Sequence, residues 1–514
     1  MIDMSLILDG LSMLASPLTL VAAVAGLAGG IVVGAMPGLT ATMAVAVLAP
    51  FTFFMEAAIG IPFLLGIYKG AIYGGSIPAI AVNTPGTAAA AATARDGYAL
   101  TRSGQGRKAL EMSLYASVIA DLLSTGVLIL VAAPLAQVAI RFGPPEFVML
   151  YLFALLTIAS VSGGNVRKGL LAAGAGLLLA CIGLEPRTGV QRFTFDDPDL
   201  MAGIGLVPLL IGMFALSEIL IQIEQRAVSH RENGPESRVE SDGAPLRWQE
   251  LRERLGTIFR SSGIGTVLGA LPGVGAEIAC WIAYGLARNR SKAPQLYGRG
   301  SLEGIAAAEA GNNAVVPSAL IPMTVFGIPG DTVTAILLGA FMAQGILPGP
   351  LLMQQHGGVL YGLFAVLLLT NVLLLGFGLV AIRYLRHLDR VPTWLLYPLI
   401  LLLCFAGAFA VNSSPFDLVV MVAGGLAGYA MRKTEVPIPP LIIALLLAPG
   451  LEASLQQSMA LSGGQLSVFV TRPGSAALVG LFLVVLIFVA VRAWRARKSC
   501  PGPMVPNAET EMNP

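Results

Sequence analysis

The sequence is poor in charged residues. Only 12% of its 514 residues are charged, against roughly 25% in ordinary soluble domains, while 56% are hydrophobic. A soluble fold cannot hide so much apolar surface, so this composition excludes a conventional soluble protein. The net charge is only +2 and no basic stripe is interleaved with aromatic residues, which argues against a nucleic-acid partner.

Residues and motifs for metal, redox or nucleotide chemistry are also scarce. The GxxxxGK[ST] loop of nucleotide-binding proteins is absent, so the chain is not an ATPase. The apolar segments hold neither a Ser/Lys dyad nor an HExxH helix, which argues against an intramembrane enzyme. The cysteines and histidines show no metal-ligand or redox spacing: Cys181, Cys280, Cys404, Cys500, His230, His356 and His387. We therefore predict no catalytic residue, no metal and no cofactor.

Long apolar runs are abundant. The segments 109–140 and 357–382 each exceed the roughly 20 residues that a helix needs to cross a bilayer. Membrane helices use glycine for close packing and tolerate proline breaks inside a bundle, which suits 60 glycines and 33 prolines. The fold class that we predict is an all-α polytopic membrane protein. Asp3 and Asp9 precede any Lys or Arg, unlike the basic start of a signal peptide, so we expect the N-terminus to be retained.

The placement of Lys and Arg predicts the topology of the first half. Before Arg95 the only basic residue is Lys69, and the loop 95–108 then carries several together. By the positive-inside rule this loop is cytoplasmic and the N-terminus is periplasmic. The acidic segment 185–199 falls outside, a span over about 200–223 follows, and the basic segment 224–262 is a cytoplasmic linker.

The second half begins on the cytoplasmic side. Basic residues flank the apolar segment 263–287 at both ends, and Leu271-Pro272-Gly273 interrupts it, so we expect a re-entrant hairpin. The loop around 344–358 is then external, whereas Arg383, Arg432 and the basic C-terminal tail are cytoplasmic.

Two pairs of matched breaks indicate an internal repeat. Gly30, Gly34 and Gly38 recur as Gly265, Gly269 and Gly273 at an offset of 235 (265 − 30 = 235). Pro78 with Pro85-Gly86 recurs as Pro322 with Pro329-Gly330 at an offset of 244 (322 − 78 = 244). The first copy starts outside and the second inside, so the two repeats are inverted. We predict repeat 1 over 1–223, the linker over 224–262, repeat 2 over 263–492 and a polar tail over 493–514.

Inverted-repeat transporters bind substrate near the membrane midplane, where broken helices present free backbone N–H groups and positive dipole ends. Each of three breaks here is followed by hydroxyl-bearing residues, which are Thr40 and Thr42, then Thr87, then Thr332 and Thr334. Such neutral donors suit a carboxylate. Any single one of these residues is as readily explained as a helix cap or a packing kink.

The segments GAMPGLTATMAVAVLAPFTF, YGGSIPAIAVNTPGTAAAAATARDGYAL, GALPGVGAEIACWIAYGLA, EAGNNAVVPSALIPMTVFGIPGD and LLGAFMAQGILPGP resemble the large membrane subunit of tripartite tricarboxylate transporters. The resemblance covers nearly the whole chain. It implies an ion-gradient-driven carrier of small di- and tricarboxylates in the bacterial inner membrane. It also implies two partners, a small membrane subunit and a periplasmic solute-binding protein, with Na⁺ or H⁺ as the coupling ion.

Carried over by motif, the resemblance implies a substrate site made from the four breaks. Its residues are Pro37, Gly38, Thr40, Thr42, Asn83, Thr84, Pro85, Gly86, Thr87, Gly273, Gly275, Ala276, Gly330 and Thr332. The candidates for ion coupling are Asn312, Asn313, Asp331 and Glu277. Asp331 and Glu277 depart from the small or uncharged residues expected of the family, and a carboxylate deep in a membrane is a functional candidate by default. Capping of its own helix is the alternative for Asp331, and local pairing with a basic residue for Glu277.

Other acids in or near the spans lack a repeated break. We therefore interpret Asp121, Glu218 and Glu111 as polar packing or boundary residues. The main alternative function is a channel or a stand-alone carboxylate exchanger, which would share the repeats but need no periplasmic partner.

Overall fold

The computed structural model describes residues 4–36, 38–161, 165–185, 188–229, 243–384 and 393–498. Nearly all of the regular structure in these ranges is helical, apart from one short antiparallel strand pair, β1 (Gly183–Leu184) and β2 (Gln191–Arg192). The predicted all-α class is confirmed.

The first half of the chain alternates long helices with short ones. In chain order the helices are α1 (Met4–Leu14), α2 (Pro17–Gly34), α3 (Ala41–Thr52), α4 (Ala57–Gly74), α5 (Ser76–Val82), a 3₁₀ turn (Ala88–Ala90), α6 (Ala91–Arg102), α7 (Gly106–Ala139), α8 (Pro144–Val161), α9 (Val166–Ala180), α10 (Pro198–Met201), α11 (Leu206–Leu210), a π-helical turn (Ile211–Leu216) and α12 (Ser217–Ser229).

The second half has a similar alternation. Its helices are α13 (Trp248–Gly269), α14 (Gly275–Arg290), a 3₁₀ turn (Pro294–Leu296), α15 (Leu302–Asn313), α16 (Val315–Ser318), α17 (Leu320–Phe326), α18 (Thr332–Ala343), α19 (Leu352–Gln355), α20 (Gly357–Tyr384), α21 (Thr393–Asn412), α22 (Pro415–Lys433), α23 (Ile438–Leu461), α24 (Val468–Thr471) and α25 (Pro473–Lys498).

Six helical segments of the described chain are long and apolar enough to cross a membrane. They are Pro17–Gly34, Ala57–Val82, Gly106–Ala139, Leu206–Gln225, Gly357–Tyr384 and Ile438–Leu461. Three match spans predicted from the sequence at 109–140, 200–223 and 357–382, the middle one beginning a few residues later than expected. Large apolar side chains on outward faces, such as Leu130, Val372 and Leu402, are exposed. Lipid is the solvent that such faces require.

The break predicted at Leu271-Pro272-Gly273 is confirmed, because α13 ends at Gly269 and α14 begins at Gly275. Helices also occupy both ends of the segment predicted as a linker, since α12 continues to Ser229 and α13 begins at Trp248. The charges there line exposed faces of helices: on α13, Arg252 and Glu253 are exposed while Leu251 and Ile258 are buried. Charge alone did not distinguish an amphipathic helix end from a loop.

Glycines set the distance between α2 and α4. A Cβ on Gly30 would lie 2.4 Å from the carbonyl oxygen of Ile67, and one on Gly34 would lie 2.3 Å from that of Ala71. On the facing helix, a Cβ on Gly70 would lie 2.3 Å from the carbonyl oxygen of Leu27. Only glycine permits backbones to approach this closely, which is how membrane helices gain contact without a hydrophobic driving force.

The second half repeats this contact in the same register. A Cβ on Gly265 would lie 2.4 Å from the carbonyl oxygen of Gly311, and one on Gly269 would lie 2.9 Å from the Cα of Val315. Gly311 and Val315 are the positions that correspond to Ile67 and Ala71 at the offset of 244 (67 + 244 = 311; 71 + 244 = 315). The contact of α2 with α4 and that of α13 with α15 and α16 therefore use glycines at corresponding positions.

Polar contacts join loops that the charge pattern placed on one side. Lys108 pairs with Glu250 at 2.8 Å, and the backbone N–H of Leu246 donates to Glu111 at 2.7 Å. These contacts connect the start of α7 with the start of α13 and the residues just before it. Lys168 similarly donates to the carbonyl oxygen of Thr434 at 2.7 Å.

We predict that Gly30→Ala and Gly265→Ala destabilise the protein by about 1–3 kcal/mol each, because the added methyl group is forced against a neighbouring backbone. Gly29→Ala and Gly263→Ala are the matched controls, since a Cβ at either position meets nothing within 4 Å. Thermal unfolding of the purified variants in detergent measures the difference. Equal stability of Gly30→Ala and Gly29→Ala would contradict this packing.

Candidate functional site

The first break lies between α2 and α3. Gly38 has a φ of +87°, a value that L side chains rarely adopt, so the turn requires glycine. Thr40 is the N-cap of α3, and its Oγ1 accepts a hydrogen bond from the backbone N–H of Met43 at 3.2 Å. Thr42 is half-buried in the first turn. Pro37 lies outside the described residues.

The second break follows α5. Asn83 is left-handed (φ 56°) and ends the helix. The exposed segment Asn83, Thr84 and Pro85 then leads to two buried residues, Gly86 and Thr87. The N–H of Gly86 donates to the carbonyl oxygen of Gly75 at 3.0 Å. The Thr87 hydroxyl is buried and finds no hydrogen-bond partner within the described chain.

The third and fourth breaks are joined directly. Gly273, with a φ of +86° that matches Gly38, donates its N–H to the carbonyl oxygen of Gly330 at 2.8 Å. A Cβ placed on Gly275, at the start of α14, would meet the side chain of Asp331. Gly327 ends α17 in the left-handed region, as Asn83 ends α5 at the equivalent position (327 − 244 = 83).

The four breaks converge in the interior. A Cβ on Gly86 would lie 2.2 Å from the carbonyl oxygen of Gly34, which joins the first two breaks. Ala89 and Ala276 share one buried cluster, which joins the second break to the third. Helices α3 and α18, which follow the first and fourth breaks, pack against each other. The structure thus joins the four breaks to one another, while Asn83, Thr84 and Pro85 of the second break are exposed.

Asp331 is the N-cap of α18. Its Oδ1 accepts from the backbone N–H and the hydroxyl of Thr334 at 2.8 and 2.7 Å, and its Oδ2 accepts from the Tyr68 hydroxyl at 2.5 Å. Asp331 therefore caps its own helix, which is the alternative role that the sequence offered. The hydrogen bond from Tyr68 of α4 was not suggested by the sequence. Thr332 is half-buried beside it. Three neutral donors and a helix N-terminus stabilise this carboxylate without a basic partner.

The other coupling candidates divide into two places. Glu277 lies in the first turn of α14 and is exposed. The charge of Asp331 acts on its carboxyl group. Asn312 and Asn313 end α15 and are almost completely buried. Asn313 donates to Ser117 at 2.8 Å, whereas both side-chain polar atoms of Asn312 find no partner in the described structure.

Sequence reasoning missed Glu309. It lies on α15, is completely buried, and accepts hydrogen bonds from Ser76 and Thr93 of the first half. The signal was present in the segment EAGNNA, where a glutamate precedes two asparagines in an otherwise apolar helix.

Lys69 and Asp121 form a buried ion pair, with 3.1 Å between Nζ and Oδ2. Lys69 on α4 also donates to the carbonyl oxygen of Leu367 on α20 at 2.9 Å. Asp121 is 1% exposed. Of the two interpretations that we gave it, polar packing and a boundary position, the structure agrees with polar packing. Glu218 and Glu111 do form local polar contacts, with Arg432 and Arg107.

The fold and this site define an integral membrane protein whose buried centre is built from four helix breaks. The sequence model of the tripartite tricarboxylate transporter TctA family matches residues 20–443. The chain belongs to this family of membrane transporter components.

Two proteins of Agrobacterium vitis are similar to this chain. An uncharacterized 52.8 kDa protein in the TAR-I ttuC′ 3′ region is 34% identical over 483 residues, which are 94% of this chain and 95% of the relative. An uncharacterized protein in the TAR-II ttuC′ 3′ region is 34% identical over 234 residues, 46% of this chain and 97% of the relative. No solved structure matches.

We predict that Lys69→Met destabilises the protein by about 3–5 kcal/mol, because it leaves Asp121 buried without its counter-charge. The double variant Lys69→Met with Asp121→Leu should recover most of the loss. Lys168→Met is the control, since its pair with Glu435 is solvent-exposed and such pairs contribute about 0–1 kcal/mol. Denaturant unfolding in mixed micelles measures all three. A Lys69→Met chain as stable as the parent would show that the ion pair contributes nothing.

Proposed function

We propose that this chain is the permease subunit of a secondary transporter that uses an ion gradient to take up small di- or tricarboxylates across the bacterial inner membrane. It works with a small membrane subunit and a periplasmic solute-binding protein that delivers the substrate. The observation that carries the proposal is the convergence of four helix breaks in the interior of a TctA-family membrane protein.

The breaks supply the donors that a carboxylate requires. Helices α3, α14 and α18 and the 3₁₀ turn at Ala88–Ala90 each begin at a break, where the first backbone N–H groups are free of intrahelical partners. Among the described residues, Lys69 is the one buried Lys or Arg, and Asp121 already neutralises it. Neutral N–H and hydroxyl groups, including Thr40 and Thr87, therefore provide the binding energy.

The charge of the interior favours cotransport of a cation. Glu309 is buried without a basic partner and Asp331 is half-buried with neutral ones. An anionic substrate placed beside these carboxylates raises the electrostatic cost of the complex unless a cation or proton enters with it. We assign this coupling to Na⁺ or H⁺, with Asp331, Glu277, Asn312 and Asn313 as its candidate residues.

The proposed architecture is two inverted repeats, over 1–223 and 263–492. It is supported by the shared packing register of α2/α4 and α13/α15 and by matched bonds at the breaks. The N–H of Thr84 donates to the carbonyl oxygen of Pro78 at 3.2 Å, and that of Ile328 donates to Pro322 at 3.2 Å (84 + 244 = 328; 78 + 244 = 322). The N-terminus is then periplasmic and the C-terminus cytoplasmic.

Labelling of single cysteines tests the inversion. In a chain lacking its native cysteines, Gly104→Cys should react with an impermeant thiol reagent only from the cytoplasmic side and Gln354→Cys only from the periplasmic side. Both positions are exposed. Labelling of the two positions from the same side would contradict the inverted architecture.

Reconstitution tests the need for partners. Proteoliposomes with this chain alone should take up di- and tricarboxylates poorly, and addition of the small subunit and the loaded binding protein should restore gradient-driven uptake. A dead binding-protein variant that cannot hold ligand is the control. Full uptake by the chain alone would instead identify a stand-alone exchanger or channel.

The Asp331→Asn substitution tests coupling. We expect the variant to fold and to bind substrate, because asparagine also caps helices well, but to lose or alter the dependence of uptake on the ion gradient. Uptake is measured under separately imposed sodium and proton gradients. If both gradients drive the variant as they drive the parent chain, Asp331 is only a helix cap.

A further inference from the structure

Glu309 is surrounded by oxygen-bearing side chains from both halves of the chain. Oε1 accepts from the hydroxyls of Ser76 at 2.6 Å and Thr93 at 2.5 Å, and Oε2 accepts from the hydroxyl of Ser117 at 3.1 Å and the amide of Asn313 at 3.2 Å. We call these five residues the Glu309 cage. The hydroxyl of Ser113 also lies beside the carboxylate.

The cage has one acidic residue and no basic one. Every ion pair in the described part of the chain involves another acid, while Glu309 is completely buried. A buried carboxylate without a counter-charge is costly and is maintained where it has a function. Carboxylate and hydroxyl oxygens are ligands that hard cations prefer, and a single carboxylate matches a monovalent ion.

Unpaired polar atoms lie next to the cage. Asn312 is 0% exposed, yet neither its side-chain oxygen nor its nitrogen has a partner in the described structure. It is three residues from Glu309, and residues at this spacing are neighbours on a helix surface. The hydroxyl of Tyr73, three residues before Ser76 in the chain, is buried and unpaired as well. Buried polar groups are rarely left unsatisfied, so each needs a ligand that the protein itself does not supply.

The repeat indicates where Asn312 points. At the offset of 244, Asn312 corresponds to Tyr68 and Thr87 to Asp331 (312 − 244 = 68; 331 − 244 = 87). Tyr68 and Asp331 are hydrogen-bonded, whereas Asn312 and Thr87 are both buried and unpaired. Helix α15 packs against the 3₁₀ turn that follows Thr87. By analogy with the Tyr68–Asp331 pair, we infer that Asn312 faces the second break, where the carboxylate site is proposed.

We propose that the Glu309 cage binds the coupling Na⁺, with Asn312 as a further ligand that faces the substrate. This inference rests on the proposed function, because it places the cation of that transport cycle. Ser76, Thr93 and Ser117 belong to α5, α6 and α7, whereas Glu309 and Asn313 belong to α15. Any movement of α15 relative to the first half separates the ligands, so Na⁺ binding favours the arrangement in which the two halves are joined.

Binding is tested without transport. The full chain is purified in lipid nanodiscs, and its melting temperature is followed as NaCl replaces choline chloride at constant ionic strength. A ligand that binds the folded state raises the melting temperature with its concentration. We expect a saturable rise with Na⁺ for the parent chain, and its loss in Glu309→Gln.

Matched variants separate the site from general effects of charge. Asp417→Asn is the control, since it also converts a buried carboxylate to an amide. Asp417 is hydrogen-bonded to Asn412 and is not part of the Glu309 cage, so this variant should keep the Na⁺ response. If Glu309→Gln does not fold, Thr93→Val and Ser76→Ala provide the readout, with the Na⁺ midpoint raised about tenfold or more, as for supporting residues of other metal sites.

Either of two results would overturn the inference: no Na⁺ response in the parent chain, or a response that persists in Glu309→Gln. Stabilisation by acid alone, equal in the presence and absence of Na⁺ and absent in Glu309→Gln, would identify a protonation site and also refute it. This experiment measures Na⁺ binding and not uptake. Its outcome can therefore be told apart from a failure of carboxylate transport in the reconstitution experiment.

Discussion

Backbone hydrogen bonding inside a membrane is the constraint on which this structure depends. A helix that breaks in the bundle frees N–H and C=O groups that lipid cannot satisfy. The chain meets the constraint by placing breaks against one another, as in the bond from Gly273 to Gly330. Such contact requires two backbones to approach within hydrogen-bonding distance. At Gly86 and Gly330, a neighbouring backbone occupies the space that a side chain would need. The glycine-lined pairs α2/α4 and α13/α15 hold the breaks at that distance.

The same arrangement determines the electrostatics of the interior. Free N–H groups at helix starts favour anions, and the carboxylate of Asp331 already uses one such start. Among the described residues, the one buried lysine is paired with Asp121. In the proposed function a carboxylate substrate and a cation are therefore complementary ligands, since the helix starts would attract the first and Glu309 with its hydroxyl partners would suit the second.

Much of this architecture could be predicted from the sequence. The spans followed from apolar length, the breaks from Pro-Gly spacing, and the correspondence of the halves from two offsets, because each of these is a local pattern. The Tyr68 bond to Asp331 and the Lys69 pair with Asp121 could not, since they join positions separated by 263 residues in the first case and join different helices in both. Glu309 was missed for a related reason: its partners are serines and threonines, which carry no charge signal until the fold brings them to one place.

The helix ends at 217–229 and 248–262 show a different limit. Positive charge correctly marked a polar region, but a helix with one apolar face carries charge on the other, so composition did not separate loop from helix. Periodicity would have done so, because Leu251 and Ile258 are seven residues apart on the buried face of α13.

The central claim is that the four breaks bind the carboxylate. The most direct measurement is a structure of the permease with its carboxylate bound. The account predicts density for the anion within hydrogen-bonding distance of the first N–H groups of α3, α18 or the turn after Thr87, with its charge away from Arg and Lys side chains. An anion held by basic residues away from the breaks, such as Arg192 of β2 or Arg432 in the last turn of α22, would contradict it.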